Sequence, residues 1–121
     1  MRKVERQMID AIRERKDFKS GNTEVRHSKS GKYFKVFLHG HMIANGMDCG
    51  LVTYLTDAGY QTRTTKSRLN AMIDNLPMGI GSIYQRDWKW YYTHGGQEVK
   101  WNGSHVASML PDASSMDLDM A

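Results

Sequence analysis

The sequence predicts an α+β domain with a mainly antiparallel sheet of five to seven strands, an N-terminal helix and one central helix. Apolar residues recur at helical spacing near the N-terminus and again in the middle of the chain. Short apolar runs separated by turn residues fill the segments on either side of the second helix. At 121 residues, the chain is expected to form a single domain over residues 1–108 and a flexible acidic tail over residues 109–121.

The first helix is predicted over residues 2–16. Val4, Met8, Ile9 and Ile12 fall on one stripe of a helical surface that is otherwise charged. The segment KSGN ends this helix, and Gly21 is its natural breaker.

Strands are predicted over residues 23–27, 32–39 and 51–55, with a short return strand over residues 42–44. The strand over residues 32–39 carries aromatic or aliphatic side chains on both faces, which is typical of a central strand.

The central helix is predicted at the segment TTKSRLNAMIDNLP. Its apolar stripe consists of Leu69, Met72, Ile73 and Leu76, and Pro77 ends it. Either of the first two threonines, Thr64 or Thr65, is expected to cap the helix, because a threonine hydroxyl accepts a hydrogen bond from a backbone N–H of the first turn.

Three strands are predicted after this helix, over residues 80–85, 88–93 and 97–101. All three tryptophans lie between residues 86 and 101, together with several basic residues, which raises the possibility of a platform for stacking nucleic-acid bases. Along a strand, however, Trp88, Trp90 and Tyr92 share one face while Lys89 lies on the other. The rings are therefore predicted to be mostly core.

The composition narrows the function classes. The single cysteine, Cys49, excludes an internal disulfide and favours a reducing compartment. No apolar run approaches the roughly 20 residues of a membrane span, and the charged N-terminus is not typical of a secretory signal. The sequence contains neither a glycine-rich phosphate loop nor the zinc deaminase pattern, so it indicates no enzyme class and no cofactor.

Positive charge is concentrated at the N-terminal end, where residues 1–35 carry eleven Lys and Arg against five Asp and Glu. Two basic elements are therefore candidate contacts for nucleic acid or another anion. At the start of the central helix, the backbone N–H groups and the helix dipole already favour anions. The alternative is that the cations are solvated and the threonines only cap the helix. The candidate residues are Lys3, Arg6 and Arg13 on the first helix, and Arg63, Thr64, Thr65, Lys66 and Arg68 in the segment TRTTKSR.

Histidine and cysteine raise the question of a metal. His39, His41 and Cys49 are candidate ligands, because zinc prefers imidazole and thiolate donors, and His27 or Asp48 would complete a set. The sequence lacks a second ligand pair such as C-x-x-C. Turn histidines and a buried free thiol are the favoured interpretation, and no metal site is predicted.

A small metal-independent nuclease is a further alternative. His39 and His94 both lie at predicted turns, and histidine suits acid–base catalysis near neutral pH. This hypothesis requires two histidines within hydrogen-bonding reach of a common point.

Four stretches between residues 22 and 103 carry a family resemblance: NTEV, VFLHGHMIA, TDAGYQTRTTKSRLNAMI and VKWNG. They resemble a group of small accessory proteins of tailed bacteriophages, particularly short-tailed (podovirus-type) ones. The resemblance implies a host-takeover or anti-defence factor that acts by binding in the cytoplasm of the infected bacterial host, and it assigns no catalytic residues. The residues that carry it are Asn22, Thr23, Leu38, His39, Gly40, Ile43, Ala44, Ala58, Gly59, Tyr60, Thr62, Thr64, Thr65, Ser67, Arg68, Leu69, Asn70 and Trp101.

The leading hypothesis is a non-enzymatic phage accessory protein that binds and inhibits or redirects a host bacterial protein. The first alternative is a small nucleic-acid-binding protein, which requires the two basic elements to lie on one surface. The second alternative is the nuclease. No membrane partner is expected.

Overall fold

A computed structural model describes residues 1–47 and 50–106 of the chain. The predicted α+β class, with an N-terminal helix and a central helix, is confirmed. The elements are α1 (Lys3–Glu14), β1 (Phe18–Ser20), β2 (Thr23–His27), β3 (Tyr33–Leu38), β4 (His41–Met47), β5 (Leu51–Thr56), α2 (Arg63–Asn75), β6 (Tyr84–Arg86), β7 (Lys89–His94), β8 (Gln97–Lys100) and β9 (Ser104–Val106).

The strands form two antiparallel sheets. The larger sheet has six strands in the order β1-β2-β3-β4-β5-β9, and the smaller has the order β6-β7-β8. The sequence predicted neither β1 nor β9. The last strand returns to the main sheet and pairs with β5, so the segment after α2 leaves the main sheet and then rejoins it.

The helices and the main sheet enclose the core. Met8, Ile9 and Ile12 of α1 are buried, and α1 contacts α2, β1 and β2. In β3, buried and half-buried residues alternate, as expected of the central strand predicted here. The helix α2 contributes the buried Leu69 and Met72 and contacts β4.

Several predicted boundaries were wrong. The return strand predicted over residues 42–44 is longer, because β4 continues through bulges to Met47. The strand predicted over residues 80–85 is shorter, since β6 begins at Tyr84. Cys49 and the tail predicted over residues 109–121 lie outside the described residues. No helix in the described part of the chain is long and apolar enough to cross a membrane.

Candidate functional site

The threonines at the start of α2 have structural roles. The N-cap is Thr62, not Thr64 or Thr65 as predicted, and its hydroxyl accepts a hydrogen bond from the backbone N–H of Thr65 at 3.1 Å. Thr65 itself is buried, and its hydroxyl lies 2.9 Å from that of Thr62. Thr64 is half-buried. The cap therefore lies two or three residues earlier in the chain than the local pattern predicted.

Arg68, predicted as a surface contact for anions, is buried. Its Nη1 lies 2.8 Å from Oε2 of Glu5, and its Nε donates to the hydroxyl of Thr23 at 3.0 Å. Arg68 and Glu5 are only 4 % and 3 % exposed. The guanidinium therefore joins α2 to α1 and β2 in the interior, and the side chain does not line a surface that a polyanion reaches.

The carboxylate of Glu5 is fully engaged at this junction. Burial alone would raise the pKa of Glu5, but hydrogen bonds from Ser67, from the backbone N–H of Arg2 and from Arg68 outweigh it and hold the pKa below its usual value. The hydroxyl of Ser67 donates to Oε2 at 2.5 Å, and the N–H of Arg2 donates to Oε1 at 3.1 Å. Glu5 is thus held as a carboxylate.

The other basic candidates do not form one compact cluster. The ammonium of Lys66 lies 5.9 Å from the ring centroid of Trp90, which is the range of a cation–π contact. Arg63 is exposed at the first residue of α2, whereas Arg13 donates to the carbonyl of Asn75 at its last residue. These two ends are roughly 18 Å apart at the helical rise per residue. Lys3 and Arg6 are exposed on α1.

A cavity of about 300 Å³ opens beside the start of α2. Its wall combines apolar groups of the main sheet with hydroxyl, imidazole and phenol groups, a mixture that suits a small polar ligand. His39 lies in the turn between β3 and β4, and His41 is the first residue of β4. The ring of His41 lies 5.0 Å from that of Tyr60. The stretches HGH and DAGY, which carry the phage resemblance, therefore meet at this cavity.

Asp57 lines the cavity and holds the turn beside it through three hydrogen bonds. Its Oδ1 accepts the backbone N–H of Gly59 at 2.8 Å, and its Oδ2 accepts the indole N–H of Trp101 at 2.9 Å. Gln61 also donates to Oδ2, at 3.2 Å. The residue is 4 % exposed, so its carboxylate holds the turn between β5 and α2 against the end of β8.

The candidate metal ligands lie partly outside the described residues. His39 and His41 line the same cavity, while Cys49 and Asp48 lie outside the described residues. Within residues 1–47 and 50–106, no three potential ligands converge. His27 lies elsewhere, at the end of β2.

Two histidines that the sequence did not pair are neighbours. The rings of His94 and His105 are 6.3 Å apart, and the ring of Tyr92 lies 5.5 Å from that of His105. Burial lowers the pKa of His105, and the nearby His94 lowers it further. The sequence did not reveal this pair because β9, which carries His105, was not predicted.

Trp88 is the largest departure from the predicted aromatic core. Trp90 and Trp101 are buried as predicted, at 4 % and 3 % exposure, but Trp88 is 90 % exposed. Asp87 and Trp88 form the two-residue turn between β6 and β7, with φ angles of 52° and 67°. Positive φ at both central residues is the signature of a type I′ hairpin turn. The alternation rule fails here because Trp88 precedes the strand.

The sheet below this turn is held by a polar cluster. Nη2 of Arg86 lies 2.5 Å from Oε1 of Glu98, and the guanidinium carbon of Arg86 is 4.8 Å from the ring centroid of Tyr91. Tyr84 stacks on Tyr91 and donates a hydrogen bond to Glu98. That hydrogen bond is the main reason why the pKa of Glu98 is lowered.

A model of one protein family, described as the Kyanoviridae Gp96 protein, matches residues 1–109. The chain belongs to this family. No curated protein and no solved structure matches the chain.

Membership of the Kyanoviridae Gp96 family confirms the prediction that this is a bacteriophage protein. The Kyanoviridae are cyanophages of the myovirus type, so the match does not support the predicted assignment to short-tailed phages. The match spans α1, the cavity and the Trp88 turn alike.

Proposed function

We propose that this phage protein acts by binding a host protein and inhibiting or redirecting it, and that the turn carrying Trp88 is its principal contact. The observation that carries the proposal is the 90 % exposure of Trp88. Tryptophan is enriched among the few residues that dominate the binding energy of protein interfaces. Because the family is named for cyanophages, the proposed partner is a cyanobacterial protein.

The backbone of the turn supports a functional role for this side chain. A left-handed conformation costs roughly 1–2 kcal/mol for a residue other than glycine. Type I′ turns usually carry Asn-Gly or Asp-Gly for this reason. Here the second position holds Trp88 at a φ of 67°. A turn optimised for stability alone would carry glycine, so the indole is retained at a cost to folding.

The turn is presented on an ordered support. The contacts of Arg86 with Glu98 and Tyr91 bridge all three strands of the small sheet directly beneath it. Side chains and backbone that are ordered before binding lose less entropy when the complex forms. This arrangement suits an anchor that inserts into an apolar pocket of a partner.

The charge around Trp88 favours a protein over a nucleic acid. Residues 84–100 contain three basic and two acidic residues, and Arg86 is already paired with Glu98. Proteins that stack bases on aromatic rings also place cations along the phosphate backbone. A nearly balanced surface around one exposed indole is instead typical of a protein interface.

The test is affinity capture from a cyanobacterial lysate with the tagged full-length chain, with and without nuclease. Wild type, Trp88→Ala and Gln97→Ala are compared, since Gln97 is exposed at the turn at the other end of β7. We expect wild type and Gln97→Ala to recover one protein that survives nuclease. Truncating a dominant tryptophan costs about 2 kcal/mol or more, so the dissociation constant of Trp88→Ala should rise by roughly 30-fold.

Two outcomes would reject the proposal. Recovery that disappears after nuclease treatment would assign the binding to nucleic acid. Equal recovery by Trp88→Ala and wild type would show that the partner does not contact the turn.

The proximity of His94 and His105 favours a second candidate function, that of a small nuclease. The lowered pKa of His105 suits a general base, and His94 is close enough to share a substrate with it. RNA cleavage by wild type is compared with cleavage by His105→Gln and by His39→Gln. The second variant is the control, because His39 lies in the separate cavity beside α2. Loss of a general base lowers the rate by about 100-fold or more. Cleavage that is absent from wild type, or unchanged in His105→Gln, removes this candidate.

A further inference from the structure

A second pocket, of about 530 Å³, lies between the C-terminal end of α1 and the end of β2. It lies apart from the cavity beside α2 and from the Trp88 turn. We call it the basic pocket. Its charged and imidazole lining residues are Arg15, Lys16, Asp17, Arg26, His27 and Lys29.

His27 is the unusual residue of the basic pocket. Its side chain is only 5 % exposed, and neither ring nitrogen has a hydrogen-bond partner among the described residues. Nδ1 lies 3.4 Å from Oδ1 of Asp17, but the approach does not have hydrogen-bond geometry, and that oxygen already accepts the backbone N–H of His27 at 2.8 Å. Buried polar atoms are nearly always paired, so two unpaired ring nitrogens in a residue that lines the pocket call for a partner that the described residues do not supply.

Both walls of the basic pocket are built from ordered backbone. Arg15 ends α1 in the left-handed conformation, with a φ of 57°, and the N–H of Lys16 bonds to the carbonyl of Ala11 at 3.0 Å. On the other wall, the N–H of Ser28 bonds to the carbonyl of Tyr33 at 3.0 Å and closes the turn that carries Lys29. The cations therefore extend from two fixed segments.

We propose that the basic pocket binds a phosphate monoester, the terminal phosphate group of a small phosphorylated ligand. The cationic side chains of Arg15, Lys16 and Lys29, against the one carboxylate of Asp17, match a group that carries close to two negative charges. Arginine and lysine are the usual phosphate ligands, and an imidazole N–H donates to a phosphate oxygen. A terminal phosphate carries a substituent on one side only and can enter a pocket end-on, whereas an internal phosphodiester carries a substituent on either side.

The test is an NMR titration of the isotope-labelled full-length chain with inorganic phosphate and with a nucleoside 5′-monophosphate, at constant ionic strength. We expect saturable shifts of the amides of residues 15–17 and 26–29. Hydrogen bonds to charged groups are strong enough that Lys29→Gln and Arg15→Gln should each weaken binding about tenfold. Lys32→Gln is the matched control, because Lys32 is exposed in the same turn but outside the pocket, and it should change affinity by less than about twofold.

His27→Phe gives an independent readout. It removes the two unpaired nitrogens and keeps a ring, so phosphate binding should be lost while the melting temperature does not fall. Shifts that do not saturate, or equal weakening by Lys29→Gln and Lys32→Gln, would overturn the proposal. It would also be overturned if an oligonucleotide without terminal phosphates bound as tightly as the monophosphate, or if His27→Phe bound phosphate like wild type.

Discussion

The guanidinium of Arg68 meets the carboxylate of Glu5 at 2.8 Å, between the two helices, although the residues are 63 positions apart in the chain. The same guanidinium also reaches Thr23 of β2. One side chain therefore fixes the relative placement of α1, α2 and the main sheet. A buried ion pair of this kind stabilises little relative to an apolar core, but removing one partner leaves the other charged and buried.

Arg68→Ala is expected to lower the free energy of unfolding by about 3–5 kcal/mol, because it leaves the carboxylate of Glu5 buried without its cationic partner. Urea denaturation measures the effect. Arg63→Ala, five residues earlier on the same helix and exposed, should stay within about 0.5 kcal/mol of wild type. Similar losses in the two variants would show that Arg68 acts only through surface charge.

The stability of the protein should depend on pH through Glu5. Its pKa is lower in the folded protein than the usual 4.5, so the folded state binds fewer protons between these two values. The stabilisation is complete above pH 4.5 and is lost as the pH falls through the lowered folded pKa. The stability difference between wild type and Glu5→Gln should therefore shrink on acidification. Urea denaturation at a series of pH values tests this, with the exposed Glu14→Gln as control. A difference that stays constant with pH would contradict it.

Replacing the exposed tryptophan should stabilise the protein. Trp88→Gly relieves the left-handed conformation of a bulky residue and should raise the free energy of unfolding by up to about 1 kcal/mol. Trp90→Ala, two positions later and buried, should instead lower it by about 3–5 kcal/mol. Thermal unfolding of both variants and of wild type measures these changes in stability. Destabilisation by Trp88→Gly would mean that the indole supports the fold.

Two glycines should respond in opposite ways to a methyl group. A Cβ at Gly46 would lie 2.3 Å from the carbonyl oxygen of Leu51 and 2.7 Å from the ring of Phe34. Gly46→Ala should therefore cost about 1–3 kcal/mol of stability. Gly79 has open space and no positive φ, so Gly79→Ala should be neutral or stabilising by up to about 1 kcal/mol. Equal melting temperatures would show that the bulge at Gly46 relaxes freely.

The helices and the central strands were predictable because their patterns are local. Leu69, Met72 and Leu76 recur at helical spacing, and Pro77 limits the helix that they define. In β3, both faces are at least half-buried, and the sequence shows this as apolar residues on either side of the strand. In such segments, burial follows from spacing alone.

The residues of the site were harder to predict, because their positions depend on distant partners or on a shift of one residue. Nothing near Arg68 in the sequence indicates that Glu5 neutralises it. Trp88 was placed on the buried face by alternation, but the two-residue turn is Asp87–Trp88 rather than Arg86–Asp87. This shift of one residue moves Trp88 out of the strand and into the turn, where alternation no longer predicts burial, while Trp90 stays on the buried face.

The short strands β1 and β9 were missed for a related reason. Each has three residues, too few for an alternating pattern to stand out. They form strands because each hydrogen-bonds to a neighbouring strand. The strand β1 pairs with the adjacent β2, whereas β9 pairs with β5, from which α2 and the small sheet separate it along the chain. Propensity over three residues carries no such information.

The pairing of β9 with β5 has a consequence for synthesis on the ribosome. Strands β1 to β5 are neighbours in sequence as well as in the sheet, so each can pair soon after it emerges from the exit tunnel. The partner of Asp57, the indole of Trp101, is 44 residues further along the chain. Until β9 is translated as well, β5 remains an unpaired edge of the nascent sheet. Unpaired edges are the usual starting points of aggregation.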